Sequence, residues 1–186
     1  MMRTPQQPQI KEEYGIVLDF LQHGYPFDEK RVPIAQVLGK THLVLLEVIP
    51  KREVTLQPGE EVYVGDEKRD KIHHVAGRIN YDKLTPTAKM EFESAISKIV
   101  DENPKRWVEF FNKAGPISKR MHQLELLPGI GNKHMWAIVE EREKKPFESL
   151  QDMVTRVPLM PNPKELIIKR IQLELEEADK YRLFIG

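Results

Sequence analysis

Residues 124–133 read Leu-Glu-Leu-Leu-Pro-Gly-Ile-Gly-Asn-Lys, and this stretch organises the C-terminal half of the chain. An amphipathic run ends in the Pro-Gly-Ile-Gly turn, and a second run with helical spacing starts directly after it. Gly129 and Gly131 lack a Cβ atom, so another molecule could approach the backbone of the turn closely. The unpaired N–H groups that begin the next helix favour an anion, and Lys133 adds a positive charge beside them. The stretch therefore predicts two helices joined by a phosphate-binding turn.

This pattern resembles the helix-hairpin-helix family of nucleic-acid binders, whose members contact nucleic acid with little dependence on base sequence. The resemblance covers residues 119–158. It implies a backbone phosphate held by Pro128, Gly129, Ile130, Gly131, Asn132 and Lys133. It also implies a possible monovalent cation on the backbone carbonyls of Glu125, Leu127 and Ile130. One position departs from the family pattern, because Met135 stands where a small residue is usual.

A second interpretation of the turn stays open. Glycine pairs between helices also occur as structural joints and in modules that contact other proteins, and a motif is a hypothesis until its context is seen. The positive charge of Lys133 favours the phosphate site, because a structural joint does not require a charge at this position.

Composition and charge limit the kind of partner. The chain has 186 residues, no cysteine and a formal net charge of zero. Residues 1–83 carry 12 basic and 13 acidic side chains, residues 84–115 carry 5 and 5, and residues 116–186 carry 12 and 11. Any contact with nucleic acid must therefore be local and sensitive to salt. The absence of cysteine excludes disulfides, thiolate catalysis and cysteine-ligated metals, and it fits a cytoplasmic protein. The sequence has no apolar run of the length of a membrane span, and we expect neither a membrane span nor a signal peptide.

The N-terminal part predicts β-structure. The first nine residues are polar and predict a loose tail, whereas residues 10–83 contain about five short strands separated by turns. Residues 56–64 are similar to the strand entry common in OB-type and SH3-type barrels, and we expect a small closed OB-like barrel with Gly77 at a bulge or a barrel bend. Single-stranded nucleic acid could stack on Tyr14, Tyr63 or Tyr81 beside Lys68, Arg69, Lys71 and Arg78. The alternative is that these tyrosines fill the barrel wall and the charges are solvated.

Helices follow from residue 84 onwards. Thr85-Pro86 and Asn103-Pro104 predict the starts of two helices, which would form a bridge over residues 84–115. Residues 116–186 would form the helix-hairpin-helix domain. Its second hairpin, at residues 157–165, is degenerate, because it has prolines where the first has glycines. Lys164 takes the place of Lys133 there, but a structural role is favoured.

The sequence indicates no catalytic site. Lys133 matches a catalytic lysine of some base-excision glycosylases, but the flanking sequence of Asp152 does not match the aspartate that they require. His73 and His74 are neighbours on a predicted strand, so we expect them on opposite faces and not in a metal site. We therefore predict a protein that is not an enzyme and has no cofactor except the possible cation.

The whole architecture resembles an archaeal domain-of-unknown-function family of predicted RNA-binding proteins. The expected fold is α+β, with an N-terminal OB-like barrel followed by an all-α helix-hairpin-helix domain. The resemblance implies binding of nucleic acid, with RNA favoured over DNA. The alternative function is an adaptor whose hairpin docks on a ribosomal or RNA-processing protein, and neutral net charge favours that alternative.

Overall fold

The computed structural model describes residues 11–186, so the predicted tail at residues 1–9 lies outside the described residues. The chain folds into two compact units. The first reaches from the start of the described chain to Ala95 and includes Phe184–Gly186, and the second spans Ile96–Leu183.

The first unit is built on a curled antiparallel sheet of five strands. These are β1 (Tyr14–Leu21), β2 (Ile34–Gly39), β3 (Leu45–Pro50), β4 (Glu61–Tyr63) and β5 (Ile72–Arg78), in the order β4-β1-β2-β3-β5. Five strands were predicted, but the closed barrel was wrong: β4 and β5 are the edges of a half-barrel. Among the described residues, β4 pairs with β1 and β5 pairs with β3, but β4 and β5 do not pair with each other, so the sheet does not close.

Valine side chains form the centre of the sheet's core. Val17 lies opposite Val37 and Ala35 lies opposite Val48, and all four are fully buried. The predicted bulge at Gly77 is present, because the register of β5 shifts between Gly77 and Val75 and Gly77 has a φ of +157°.

Two helices start where the sequence predicts them. α1 covers Pro86–Glu102, and the Thr85 hydroxyl accepts the Ala88 N–H at 3.1 Å. α2 covers Pro104–Lys113, and the predicted inner residues Trp107 and Phe111 are buried in the second unit.

The second unit departs from an all-α domain at its beginning. A short hairpin of β6 (Pro116–Ser118) and β7 (Met121–His122) leads into a 3-10 helix at Gln123–Leu126, so the predicted first α-helix of the motif is absent. The His122 imidazole accepts the Leu124 N–H, and the Glu125 carboxylate accepts the His122 N–H, which closes this tight turn locally.

The remaining helices are α3 (Asn132–Lys144), α4 (Leu150–Arg156) and α5 (Pro163–Leu175). No helix in residues 11–186 is long and apolar enough to cross a membrane.

Candidate nucleic-acid interface

The Pro-Gly-Ile-Gly turn places its apolar side chains in the core and its glycines at the surface. Leu127 and Ile130 are buried, and the Ile130 N–H donates to the Leu127 carbonyl at 3.1 Å. Gly129 has a φ of +90°, a conformation that L-residues with a Cβ rarely adopt, so the turn itself requires glycine there. Gly129 and Gly131 are both exposed.

Gly131 is different, because its backbone does not require glycine. Its φ of −91° and ψ of −173° are open to any residue, and a Cβ added there would meet nothing within 4 Å. Gly131 is the N-cap of α3 and supplies no side-chain hydrogen bond to the helix. The first N–H groups of α3 thus lack the side-chain cap that Ser149 gives α4 and Asn162 gives α5. This helix end carries partial positive charge, and α3 has neither a side-chain cap nor an acidic residue in its first turn to offset it.

Lys133 adds a full positive charge at the same helix end. Its side chain is exposed and makes no ion pair with any residue in the described part of the chain. Lys164 is the second residue of α5, as Lys133 is of α3, but its ammonium lies 2.8 Å from Asp101 Oδ1. Of these two equivalent lysines, Lys133 is therefore the one available to an external anion.

The two turns of the second unit share one backbone pattern. In the second turn the Met160 N–H donates to the Val157 carbonyl at 3.3 Å, as Ile130 does to Leu127 in the first. Leu159 takes the place of Gly129 and has a φ of +55°. The second turn therefore repeats the geometry of the first, with a strained leucine at the position of the glycine.

The buried guanidinium of Arg170 binds the backbone that leads into the first turn. Arg170 is 2% exposed, and its Nη1 donates to the Leu126 carbonyl at 3.1 Å. The same group pairs with Glu174 at 2.9 Å and with Asp179 at 3.0 Å. His134 Nε2 lies 3.0 Å from the Leu159 carbonyl, a contact between α3 and the second turn. The Arg170 network did not follow from the sequence analysis, although its signal was a charged pair four residues apart within the apolar stripe of α5.

Comparison with known proteins assigns a family to this fold. The model of a family described as a protein of unknown function, DUF655, matches residues 11–186. The chain belongs to the DUF655 family. It is 48% identical over 188 residues to the uncharacterised protein MJ0038 of Methanocaldococcus jannaschii, across 99% of this chain and 85% of that one. The crystal structure of Af1531 from Archaeoglobus fulgidus, also described as DUF655, is similar with a TM-score of 0.87 and 43% identity, covering 94% of this chain and 100% of that one. The expected archaeal family of unknown function is thus confirmed, and these names state no ligand or activity.

The predicted cation site in this DUF655 protein has a crowded environment. The Leu127 carbonyl already accepts the Ile130 N–H, and the Glu125 side chain is bonded to the His122 N–H. Between these two residues, the Leu126 carbonyl accepts a hydrogen bond from the Arg170 guanidinium. The Arg170 guanidinium therefore already occupies an acceptor in the stretch where the cation was predicted, with its charge paired to Glu174 and Asp179.

The sheet residues predicted to contact nucleic acid are engaged in local structure. Arg69 Nε donates to the Gly65 carbonyl at 2.7 Å, and Lys71 pairs with Glu60, whose pKa it lowers through that hydrogen bond. The Tyr63 hydroxyl accepts the Glu67 N–H at 3.1 Å. A cleft of about 580 Å³ beside Tyr63 is lined by four acidic residues and two lysines: Glu13, Glu61, Glu67, Asp70, Lys68 and Lys71. Net negative charge in a cleft repels phosphate, so this surface is poorly suited to a nucleic-acid backbone.

The prediction that His73 and His74 lie on opposite faces of the sheet was wrong. Their Nδ1 atoms lie 2.7 Å apart, so the two rings face each other instead of opposite sides of the sheet. The cause is a bulge: Ile49 pairs with His74 and Pro50 with Ile72, which leaves His73 unpaired and turned. Both rings line a cleft of about 550 Å³, which His23 also lines. Within residues 11–186, no three histidine or acidic side chains are grouped closely enough to hold a metal ion.

Proposed function

We propose that this DUF655 protein binds nucleic acid, RNA in preference to DNA, through a backbone phosphate held at residues 128–133. One coincidence carries the proposal: an open glycine backbone, a helix start without a side-chain cap and a lysine without an ion pair meet at Gly131–Lys133 in the described structure. Each of these three features favours an anion, and none is needed for the packing of the turn. The preference for RNA rests on the architectural resemblance alone.

The contact recognises phosphate, so it discriminates little between base sequences. One site on a chain of zero net charge gives modest affinity that falls with salt. We assign the contact with phosphate to the exposed backbone of Gly129 and Gly131, to Asn132 and to Lys133. Pro128 has no N–H and the Ile130 N–H donates to Leu127, so these two residues shape the turn. The proposal leaves out Tyr63, Arg69 and Lys71, because their contacts and the acidic cleft beside them do not favour phosphate. It includes no catalytic step and no cofactor, and it places the protein in the cytoplasm, in keeping with a sequence that has no cysteine.

A second candidate is an adaptor that docks on a ribosomal or RNA-processing protein. The observation that favours it is Leu159, which is 90% exposed and held at a positive φ at the second turn. An apolar side chain displayed in a strained conformation is common at sites of contact with a partner.

Binding to fluorescent oligonucleotides separates the two candidates. Fluorescence anisotropy would be measured with single-stranded RNA, single-stranded DNA and duplexes of equal length across a salt series. Lys133→Ala should weaken binding to all of them by roughly tenfold and reduce the salt slope by about one. Lys164→Ala is the matched control, because Lys164 has the same position in its helix but is paired with Asp101, and it should bind like the wild type. If no oligonucleotide binds at low salt, the proposal fails and Leu159 becomes the residue to test against protein partners.

A further inference from the structure

An exposed tryptophan lies one helical turn beyond the proposed phosphate site. Trp136 is 55% exposed, while its neighbours in α3, Met135 and Ile138, are buried. The indole makes no hydrogen bond and no ring contact with any of the residues 11–186. Tryptophan is usually well covered in folded proteins, and a largely exposed indole without a partner is typical of a binding surface.

The position of Trp136 relates it directly to the phosphate site. Trp136 follows Lys133 by three residues, so both side chains lie on one face of α3, with Cβ atoms about 5–6 Å apart. Helical side chains lean towards the N-terminus of their helix, so we expect the indole over the turn that contains Lys133 and the uncapped N–H groups. A phosphate at the helix start would therefore have a flat aromatic surface beside it.

Charge limits the site to the first turns of the helix. On the same face, the next exposed residues of α3 are Glu140 and Glu143, which repel a phosphate backbone. A nucleic-acid strand is thus attracted at Lys133 and repelled further along the helix. This arrangement suits one nucleotide at the helix start rather than a backbone that follows the whole helix.

We propose that Trp136 stacks on the base of an unpaired nucleotide whose phosphate lies at residues 129–133, an inference that rests on the proposed function. The indole offers a π-face that any base can use, so stacking adds affinity without sequence preference. In a regular duplex both faces of each base are covered by neighbouring bases. The protein therefore prefers single-stranded segments, loops and ends over continuous duplex.

Tryptophan fluorescence tests this directly, because the chain has two tryptophans and the other, Trp107, is 1% exposed. Titration with single-stranded RNA should quench the Trp136 emission. An abasic strand of equal length, which keeps the phosphates, and a blunt duplex should leave it nearly unchanged. In anisotropy measurements, Trp136→Ala should lose roughly tenfold or more in affinity for the single strand, and Trp136→Phe should retain part of it.

Met90→Ala is the matched control, since Met90 is 82% exposed on α1 and outside the proposed site. Thermal unfolding of Trp136→Ala should match the wild type, because the side chain is largely exposed. If Trp136→Ala binds single strands like the wild type while Lys133→Ala loses affinity, the stacking inference is overturned and the phosphate site stands. If no strand binds the wild type, both fail. A change in oligomeric state on Trp136→Ala would mark the indole as a contact between copies and also overturn the inference.

Discussion

Gly131→Ser should make the protein slightly more stable and a weaker binder of nucleic acid. Glycine is the N-cap of α3, and serine is a better N-cap by a few tenths of a kcal/mol. The backbone angles at Gly131 suit serine, and the added Cβ has nothing within 4 Å to contact in the protein. The serine hydroxyl would accept an N–H from the first turn of α3, so the free energy of unfolding should stay equal or rise slightly.

The same change acts against a bound phosphate in two ways. The Cβ occupies the open space through which the phosphate would approach, and the hydroxyl takes an N–H that the phosphate would use. A hydrogen bond to a charged group contributes about 1.5–3 kcal/mol, which corresponds to a loss of roughly 10- to 150-fold in affinity. The two predicted effects have opposite signs, so general damage to the fold cannot imitate them.

The assay combines urea unfolding with anisotropy titrations of single-stranded RNA. Gly115→Ser is a matched control, because a Cβ at Gly115 also meets nothing within 4 Å and this residue lies outside residues 128–133. The control should leave affinity unchanged. Wild-type affinity in Gly131→Ser, together with unchanged stability, would show that no ligand approaches this glycine and would favour the structural joint.

Two further predictions concern buried polar groups, one inside each unit. Arg170→Met removes the guanidinium that pairs with the buried Glu174 carboxylate and should lower the free energy of unfolding by about 3–5 kcal/mol, measured by urea denaturation. Adding Glu174→Leu should restore much of this loss, and a loss below about 1 kcal/mol in Arg170→Met would show that the pair is unimportant. Burial, with a hydrogen bond to Glu47, raises the pKa of Tyr25 to about 12. Because this folded-state pKa lies above the ordinary value of about 10, the contribution to stability is complete below pH 10 and is lost as the pH rises towards 12. Tyr25→Phe should therefore lose less stability than the wild type over that pH range in unfolding measurements, and equal losses would contradict the assignment.

Local signals in the sequence predicted the elements whose stability is local. Thr85-Pro86 marks the start of α1, because an N-cap and a proline at the first helical position act within one turn. The spacing of Trp107 and Phe111 predicted the buried face of α2 for the same reason. The turn at Gly129 was recognisable since its positive φ needs glycine.

Features that depend on distant residues were missed or wrong. The sheet is open, with β4 and β5 at its edges, and pairing between the first and last strands of a sheet is not specified by the local pattern. His73 and His74 meet because a bulge shifts their register against β3. Residues before the turn form a 3-10 helix because His122 and Glu125 close it with their side chains, although their apolar spacing is compatible with an α-helix. The burial of Arg170 was missed because the groups that compensate its charge and N–H donors, Asp179 and the Leu126 carbonyl, come from other segments of the chain.

The pair of similar turns gives the strongest physical argument for a ligand site. Both turns have a buried residue before a proline, a residue with positive φ and a buried apolar residue before the next helix. At the second turn Asn162 caps α5 and Asp101 neutralises Lys164, so this helix start is satisfied within the protein. At the first turn, in the described structure, Gly131 gives α3 no side-chain cap and Lys133 has no ion-pair partner. If both turns were only joints, a serine or asparagine at position 131 would stabilise the start of α3 by a few tenths of a kcal/mol, and Gly131 forgoes that gain. A phosphate at the first turn supplies the missing acceptor and the missing negative charge together.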